Sequence, residues 1–185
     1  MKKCIMVLML CGLAAAGEAR EIAGIAVPDA LTTNGLSLTL NGAGIRTKFF
    51  MDMYIGALYL QQREARPEKI LQTDEPMAIR LHIISSLITS EKMEAATREG
   101  FLNATGGTTA PLQPSIEQFI AVFREKIEKN DTYEMVYIPG EGTKIYRNGT
   151  LKTVIAGLQF KQALFAIWLC AKPAQESLKK QMLGE

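Results

Sequence analysis

The sequence predicts an α+β domain built on a largely antiparallel sheet, and three observations carry that prediction. Leu36–Leu40 and Met77–Ile83 alternate apolar and polar residues with the two-residue period of half-buried strands. Asn-Gly and Pro-Gly dipeptides separate several strand-like runs at hairpin spacing. Stretches of helical period come in blocks, so the order is strands, helices, strands, helices; a parallel sheet would instead need a crossover after each strand.

Taken in order, Glu21–Val27 (EIAGIAV) reads as the first strand, stopped by Pro28-Asp29. Leu36–Leu40 is the second, set between the turn dipeptides Asn34-Gly35 and Asn41-Gly42. The turn at Asn41-Gly42 should lead by a hairpin into one long strand reaching Leu60, within the stretch NGAGIRTKFFMDMYIGALYL. Its odd positions, from Ile45 through Phe49, Met51 and Met53 to Ala57, are almost wholly apolar. Its even positions begin polar (Arg46, Lys48, Asp52, Tyr54) and turn apolar at Leu58 and Leu60. A short helix is expected near Pro67, a favoured first-turn residue, and then the strand Met77–Ile83. Thr89 or Ser90 caps a helix reaching Phe101 or Asn103. Ala104–Ser115, rich in Gly, Thr and Pro, reads as a long loop, either a lid or a passive connection. Ile116–Lys126 returns to helical spacing. A meander of Tyr133–Ile138, Thr143–Tyr146 and Leu151–Ile155 follows, with turns at Pro139–Gly142 and Arg147–Gly149. The stripe Phe160, Ala163, Leu164, Ile167 and Trp168 marks a late helix, Pro173 breaks it, and Ser177–Leu183 adds a last amphipathic one.

With 185 residues and 48% hydrophobic content the chain can bury one core. Lys2-Lys3, the apolar run Cys4–Leu13 and the small residues up to Ala19 have the three-part form of a secretory signal peptide, cut after Ala19 or after Ala16. The chain therefore divides into a leader over 1–19 and a single domain over 20–185, exported and, on the form of the leader, periplasmic in a bacterium. The leader takes Lys2, Lys3 and Glu18 with it, so 21 basic and 19 acidic residues become 19 and 18. A net charge of +1 argues against a nucleic-acid partner. No membrane span is expected once the leader is removed. Cys170 alone remains, so no intramolecular disulfide can form and packing must hold the fold.

No metal or cofactor site stands out. His82 is the only histidine and reads as a strand residue; Cys170 reads as a buried structural thiol. Gly42-Ala43-Gly44 is followed by a strand, whereas a phosphate-binding loop opens a helix, so it reads as hairpin turn. Asn103-Ala-Thr105, Asn130-Asp-Thr132 and Asn148-Gly-Thr150 match the glycosylation pattern but matter only in a eukaryotic secretory pathway.

Arg46 is the strongest candidate. An arginine at the head of so apolar a strand is either solvated at the sheet end or faces a cavity, where its planar fork suits a carboxylate. Tyr54 shares its parity eight residues on, roughly 26 Å away on an ideal strand. The two can act together only through a bulge, strong coiling or a long ligand, and Phe49-Phe50-Met51 is the place for a bulge.

Gly42-Ala43-Gly44-Ile45-Arg46 and Tyr54-Ile55-Gly56-Ala57-Leu58-Tyr59-Leu60 resemble the core of the chalcone isomerase-like family, in its exported bacterial branch. Thr89-Ser90-Glu91-Lys92, Pro139-Gly140-Glu141-Gly142-Thr143 and the helix Leu164–Leu169 extend the resemblance over nearly all of residues 21–184; order and spacing carry it more than any single motif. It implies an open-faced β-sandwich, a large antiparallel sheet packed by helices with a ligand cleft between. Plant members cyclise a chalcone to a flavanone, with an arginine at the position of Arg46 stabilising developing negative charge. Their other catalytic positions fall on Thr89 (a tyrosine there), Ala96 (an asparagine), Ala166 (a hydroxyl) and Tyr54 (a threonine). Losing those groups implies a poor isomerase.

The Arg46/Tyr54 combination instead resembles fatty-acid-binding relatives, where such a pair holds the carboxylate. Phe49, Met51, Met53 and Trp168 would line the cleft for the tail. The expected partner is thus a small amphipathic ligand such as a fatty acid, and the expected role non-catalytic. An isomerase or intramolecular lyase with another substrate, and a structural or protein-interaction role with a vestigial cleft, are the alternatives.

Overall fold

The computed structural model describes residues 20–33 and 35–185; the leader read at residues 1–19 and the turn residue Asn34 lie outside them. Two short antiparallel strands, β1 (Arg20–Ile22) and β2 (Ile25–Val27), replace the single strand expected over Glu21–Val27. Ala23 and Gly24, at φ of 50° and 75°, close a two-residue turn between them. Glycine takes that conformation freely, having no Cβ, whereas Ala23 bears the Cβ penalty there. The next strand, β3 (Ala30–Thr33), has no sequence signal strong enough to announce it: it is four residues long and only Leu31 is buried.

The next strand corrects the central expectation. β4 (Leu36–Lys48) is continuous through Asn41-Gly42, which makes no turn. Asn41 is the extra residue of a β-bulge, where the pairing passes from Leu40↔Tyr59 to Gly42↔Leu58. Its side chain explains its presence there. Nδ2 donates to the Glu64 carbonyl (3.0 Å) and the Met182 carbonyl (2.9 Å), and Oδ1 accepts from the Glu64 N–H (2.9 Å). The reversal comes instead at Phe49 and Phe50, at φ of 51° and 63°, which lead into β5 (Met51–Leu60). Asn41–Leu60 is therefore the two arms of a hairpin.

After α1 (Pro67–Gln72), β6 (Met77–Ile83) pairs with β5. α2 (Ser90–Ala104) starts at the predicted cap: the Thr89 hydroxyl accepts from the Lys92 N–H. The loop expected over Ala104–Ser115 is much shorter, because Ala110–Leu112 forms a 3-10 turn running into α3 (Gln113–Ile120). The helix expected as far as Lys126 ends in a second 3-10 turn at Ala121–Phe123. The meander β7 (Thr132–Ile138), β8 (Gly142–Arg147) and β9 (Thr150–Ile155) follows, then α4 (Leu158–Leu169) and α5 (Glu176–Met182).

Strands β3 to β9 form one antiparallel sheet in chain order. All five helices contribute buried residues to the core on one face. Leu58, Leu60, Ile79, Leu81, Met135 and Ile145 of the sheet meet Phe101, Phe119, Phe160, Leu164 and Trp168 there. The other face carries a smaller cluster around Leu38, Leu40, Ile55 and Tyr59, against which Ile22 and Ile25 of the β1–β2 hairpin pack. The result is an α+β open-faced sandwich: one face of the sheet is roofed by helices and the other only partly covered.

Two features that the sequence pattern does not announce hold this arrangement. Gly42 and Gly44 lie under α5, where a Cβ on Gly42 would stand 2.1 Å from the Gln181 carbonyl oxygen. They are close-approach residues, not turn residues. Lys161 of α4 is completely buried, and its ammonium donates to the carbonyls of Ile70 (3.0 Å), Leu71 (3.1 Å) and Thr73 (2.6 Å). All three of its protons are used to cap the end of α1. Cys170 also departs from expectation, being half-buried at the end of α4. No helix among the described residues is long and apolar enough to cross a membrane.

Candidate ligand-binding site

Because β4 and β5 are hairpin arms, Arg46 and Tyr54 are direct cross-strand partners. Antiparallel partners lie about 5 Å apart at Cα and share a face of the sheet. The separation of roughly 26 Å expected for a single strand is thereby abolished. The pairing then slips from Arg46↔Tyr54 to Thr47↔Asp52, leaving Met53 as an extra residue. This bulge lies three residues beyond the Phe49-Phe50 turn. It re-aims Met53 to the same side as Tyr54, which regular alternation forbids.

Both residues open onto a cavity of about 460 Å³ between the sheet and helices α2 and α4, within the size range of small-molecule sites, roughly 300–1,000 Å³. Its lining is largely apolar. It includes every residue the sequence singles out: Arg46, Phe49, Met51, Met53, Tyr54 and Trp168. Leu81 of β6, Phe119, Phe123 and Ile167 complete the inner wall. The exposed members, Lys48, Phe49, Met51 and Leu87 together with Lys92, Ala96 and Glu99 of α2, show that it opens to solvent along α2 and at the hairpin tip. The lining carries three basic side chains, Arg46, Lys48 and Lys92, against one acidic, Glu99.

The polar groups at Tyr54 are arranged in a definite sense. The Trp168 indole N–H donates to the Tyr54 hydroxyl at 3.0 Å, in a fully buried bond. The Arg46 guanidinium acts on the same hydroxyl through its positive charge. The indole has no acceptor, so its N–H uses a lone pair of the oxygen and leaves the phenolic proton to be given elsewhere. Burial pushes the phenol's pKa up, outweighing the Trp168 bond and the Arg46 charge. Tyr54 is therefore a neutral donor, not a phenolate base.

Arg46 is itself positioned by a residue with no signal in the sequence. Its Nη1 donates to Oε1 of Gln175 (2.9 Å) and to the Thr47 carbonyl (2.9 Å), and the Thr47 N–H donates to the same Gln175 oxygen (2.8 Å). Two donors converging there fix which way the amide faces. Gln175 precedes the first turn of α5, so the seating of α5 on the two glycines also sets the guanidinium.

The positions onto which the resemblance maps the plant enzymes' other catalytic groups serve other ends here. Ala96 lies on the cavity rim and presents only a methyl group; Thr89 caps α2; Ala166 is buried within α4 and Tyr54 accepts the Trp168 bond just described. His82 lies half-buried on β6, with its Nε2 buried and without a hydrogen-bond partner within the protein. Among the described residues no three of His, Cys, Asp or Glu converge as metal ligands.

No curated protein matches the sequence. Among solved structures, the crystal structure of an Arabidopsis thaliana fatty-acid binding protein superposes with a TM-score of 0.67 over 86% of this chain and 92% of that one, at 15% sequence identity. Identity so low speaks to the fold, and the fold agrees. The family model described as chalcone isomerase-like matches residues 19–184. The meander sheet, its helical roof and that match together place the chain in the chalcone isomerase-like family.

Proposed function

We propose that the protein is an exported, non-catalytic binder of a fatty acid or a similar small amphipathic carboxylate. The observation that carries this reading is the Tyr54 hydroxyl. Trp168 donates to it and the Arg46 charge acts on it, so its proton and the guanidinium are both available to one anion in a largely apolar cavity. A carboxylate accepts from Tyr54 and Arg46 with charge assistance, while Met51, Met53 and Ile167 offer adaptable apolar contacts to a tail. The fold shared with the Arabidopsis fatty-acid binding protein supports the same reading by analogy. The isomerase alternative has Arg46 but no carboxamide at Ala96; a chalcone cyclisation rate above the uncatalysed one would revive it. Export rests on the form of residues 1–19, and N-terminal sequencing of the secreted chain, reading from Arg20 or Gly17, checks it.

Native mass spectrometry of gently purified protein should show a co-purifying carboxylic acid, lost in Arg46→Ala. Charge-assisted hydrogen bonds are worth roughly 1.5–3 kcal/mol, so Arg46→Ala should weaken binding of an added fatty acid by roughly tenfold to a hundredfold. Gln175→Glu sets an internal carboxylate against the guanidinium and should weaken binding too, by about tenfold, with the fold intact. A protein that is empty and indifferent to acyl ligands would sink the reading.

A further inference from the structure

The hairpin tip is built at odds with the usual rules for turns. A two-residue turn with both φ values positive is ordinarily made by Asn-Gly or Gly-Gly, which bear that conformation cheaply. Here two phenylalanines occupy it, at 51° and 63°. Phe49 is 79% exposed and Phe50 fully so. Met51 and Leu87 are more than 40% exposed beside them. The sequence thus carries both backbone strain and aromatic exposure at one point, and an observed outlier of this kind calls for a function.

Charge completes the surface. Lys48 shares the face of Met51, and its Nζ stands 5.6 Å from the Phe49 ring. Lys92 lies on the rim across from it, tethered through Nζ to the Leu87 carbonyl (3.0 Å). The hairpin's one acid, Asp52, is held by the Thr47 hydroxyl on the opposite face (3.0 Å). Aromatic and apolar side chains flanked by lysines form the composition that seats at an anionic membrane interface.

We propose that this tip docks the protein onto an anionic lipid bilayer. The surface is a protruding tip, which a fluid interface accommodates without a preformed pocket, whereas a protein partner must supply a matching concavity. Phe49, Met51 and Leu87 belong at once to the tip and to the cavity lining. Docking therefore sets the opening against the bilayer, so that an acyl ligand passes between membrane and cavity with little exposure to water. That last step rests on the carboxylate-binding reading; the docking does not, because it needs no ligand in the cavity.

The test is flotation of the protein with vesicles of phosphatidylcholine containing phosphatidylglycerol, against vesicles of phosphatidylcholine alone. The protein should float with the anionic vesicles, less so as salt is raised. The Phe49→Ser/Phe50→Ser variant should lose at least about tenfold in partitioning, and Lys48→Glu/Lys92→Glu should lose the preference for anionic lipid. Phe50→Trp supplies a second readout: a blue-shifted emission quenched by lipid brominated on its acyl chains. Wild-type protein that stays with the aqueous fraction, or binding indifferent to the two serines, overturns the proposal. So does a concentration-dependent dimer lost in the serine variant without vesicle binding, which would assign the tip to a second copy of the chain. Wild-type protein that binds an added fatty acid but stays off the vesicles overturns the docking alone, and wild-type protein that floats with anionic vesicles but binds no fatty acid overturns the ligand reading alone.

Discussion

Gly42→Ala is expected to lower stability by at least about 3 kcal/mol, although a single methyl group is added to a residue type that usually weakens strands. The added Cβ would lie 2.1 Å from the Gln181 carbonyl oxygen and 2.9 Å from both the Met182 carbonyl oxygen and the Gly184 nitrogen. All three are backbone atoms and none can rotate aside. Either β4 bends away or α5 lifts, and lifting α5 exposes Leu178, Met182 and Leu183, all buried. Uncovering such side chains costs about 1.5–3 kcal/mol each. Gly44→Ala should cost less, because the atoms its Cβ would meet belong to the Gln181 side chain, whose outer end can move, and not to the α5 backbone. Gly56→Ala is the control: its Cβ would meet Leu178 and Met182 at 3.5–3.6 Å, an ordinary contact. It should be neutral or gain up to about 1 kcal/mol from the stiffer unfolded chain. Thermal melts decide it, since about 2–4 °C per kcal/mol is expected at this size. Equal effects at the three glycines would refute the packing account. Ligand affinity should fall with Gly42→Ala as well, because α5 carries Gln175 to Arg46.

The second large effect lies in alkali, where stability should rise from about pH 8 and then fall steeply above 10. Burial lowers the pKa of Lys161 to about 8, against the pull of Asp74 and Glu75. Below pH 8 the lysine is charged in folded and unfolded chains alike. Between about 8 and 10.5 the unfolded chain binds a proton the folded chain has lost, so stability increases with pH. Tyr59, Tyr133 and Tyr137 act in the opposite sense, burial pushing each up to about 12. From pH 10 the unfolded chain releases phenolic protons that the folded chain retains, so stability is lost up to 12. Two units correspond to about 2.7 kcal/mol, which makes roughly 8 kcal/mol for the three an upper bound. Tyr133→Phe isolates one of them. Its hydroxyl is buried without a partner within the protein, so at neutral pH the variant should be neutral or up to about 1 kcal/mol more stable. It should also remove about a third of the alkaline loss. Urea unfolding across this range measures both, and an alkaline limb unchanged in Tyr133→Phe would refute the assignment.

Much of the architecture is legible in the sequence because its signals are local. The alternation in Met77–Ile83, the Thr89 cap and the stripe through Phe160 and Trp168 need only neighbours a few residues away, and β6, α2 and α4 form where those signals lie. The Gly-rich stretch before α3 misleads because proline at a first helical turn is compatible with helix, and Pro114 sits in that position. Asn41-Gly42 misleads in another way. Its turn composition is real, but Asn41 serves side-chain bonds to groups 23 and 141 residues distant.

The candidate site divides along the same line. Arg46, Tyr54 and the apolar lining are readable from residue type, pattern and family resemblance, and they all meet one cavity. That Arg46 and Tyr54 face each other is a tertiary fact, since the reversal falls on two phenylalanines that no turn rule marks. Gln175, 129 residues from Arg46, and Trp168, 114 residues from Tyr54, are brought to the pair only when α4 and α5 close over the sheet. The sequence by itself determined the α+β class, most of the elements and the residues that give the site its chemistry, because periodicity and capping depend on near neighbours. The tertiary structure alone decided the pairing, the Trp168 bond to Tyr54 and the glycine-seated helix, because those depend on close approach between distant segments.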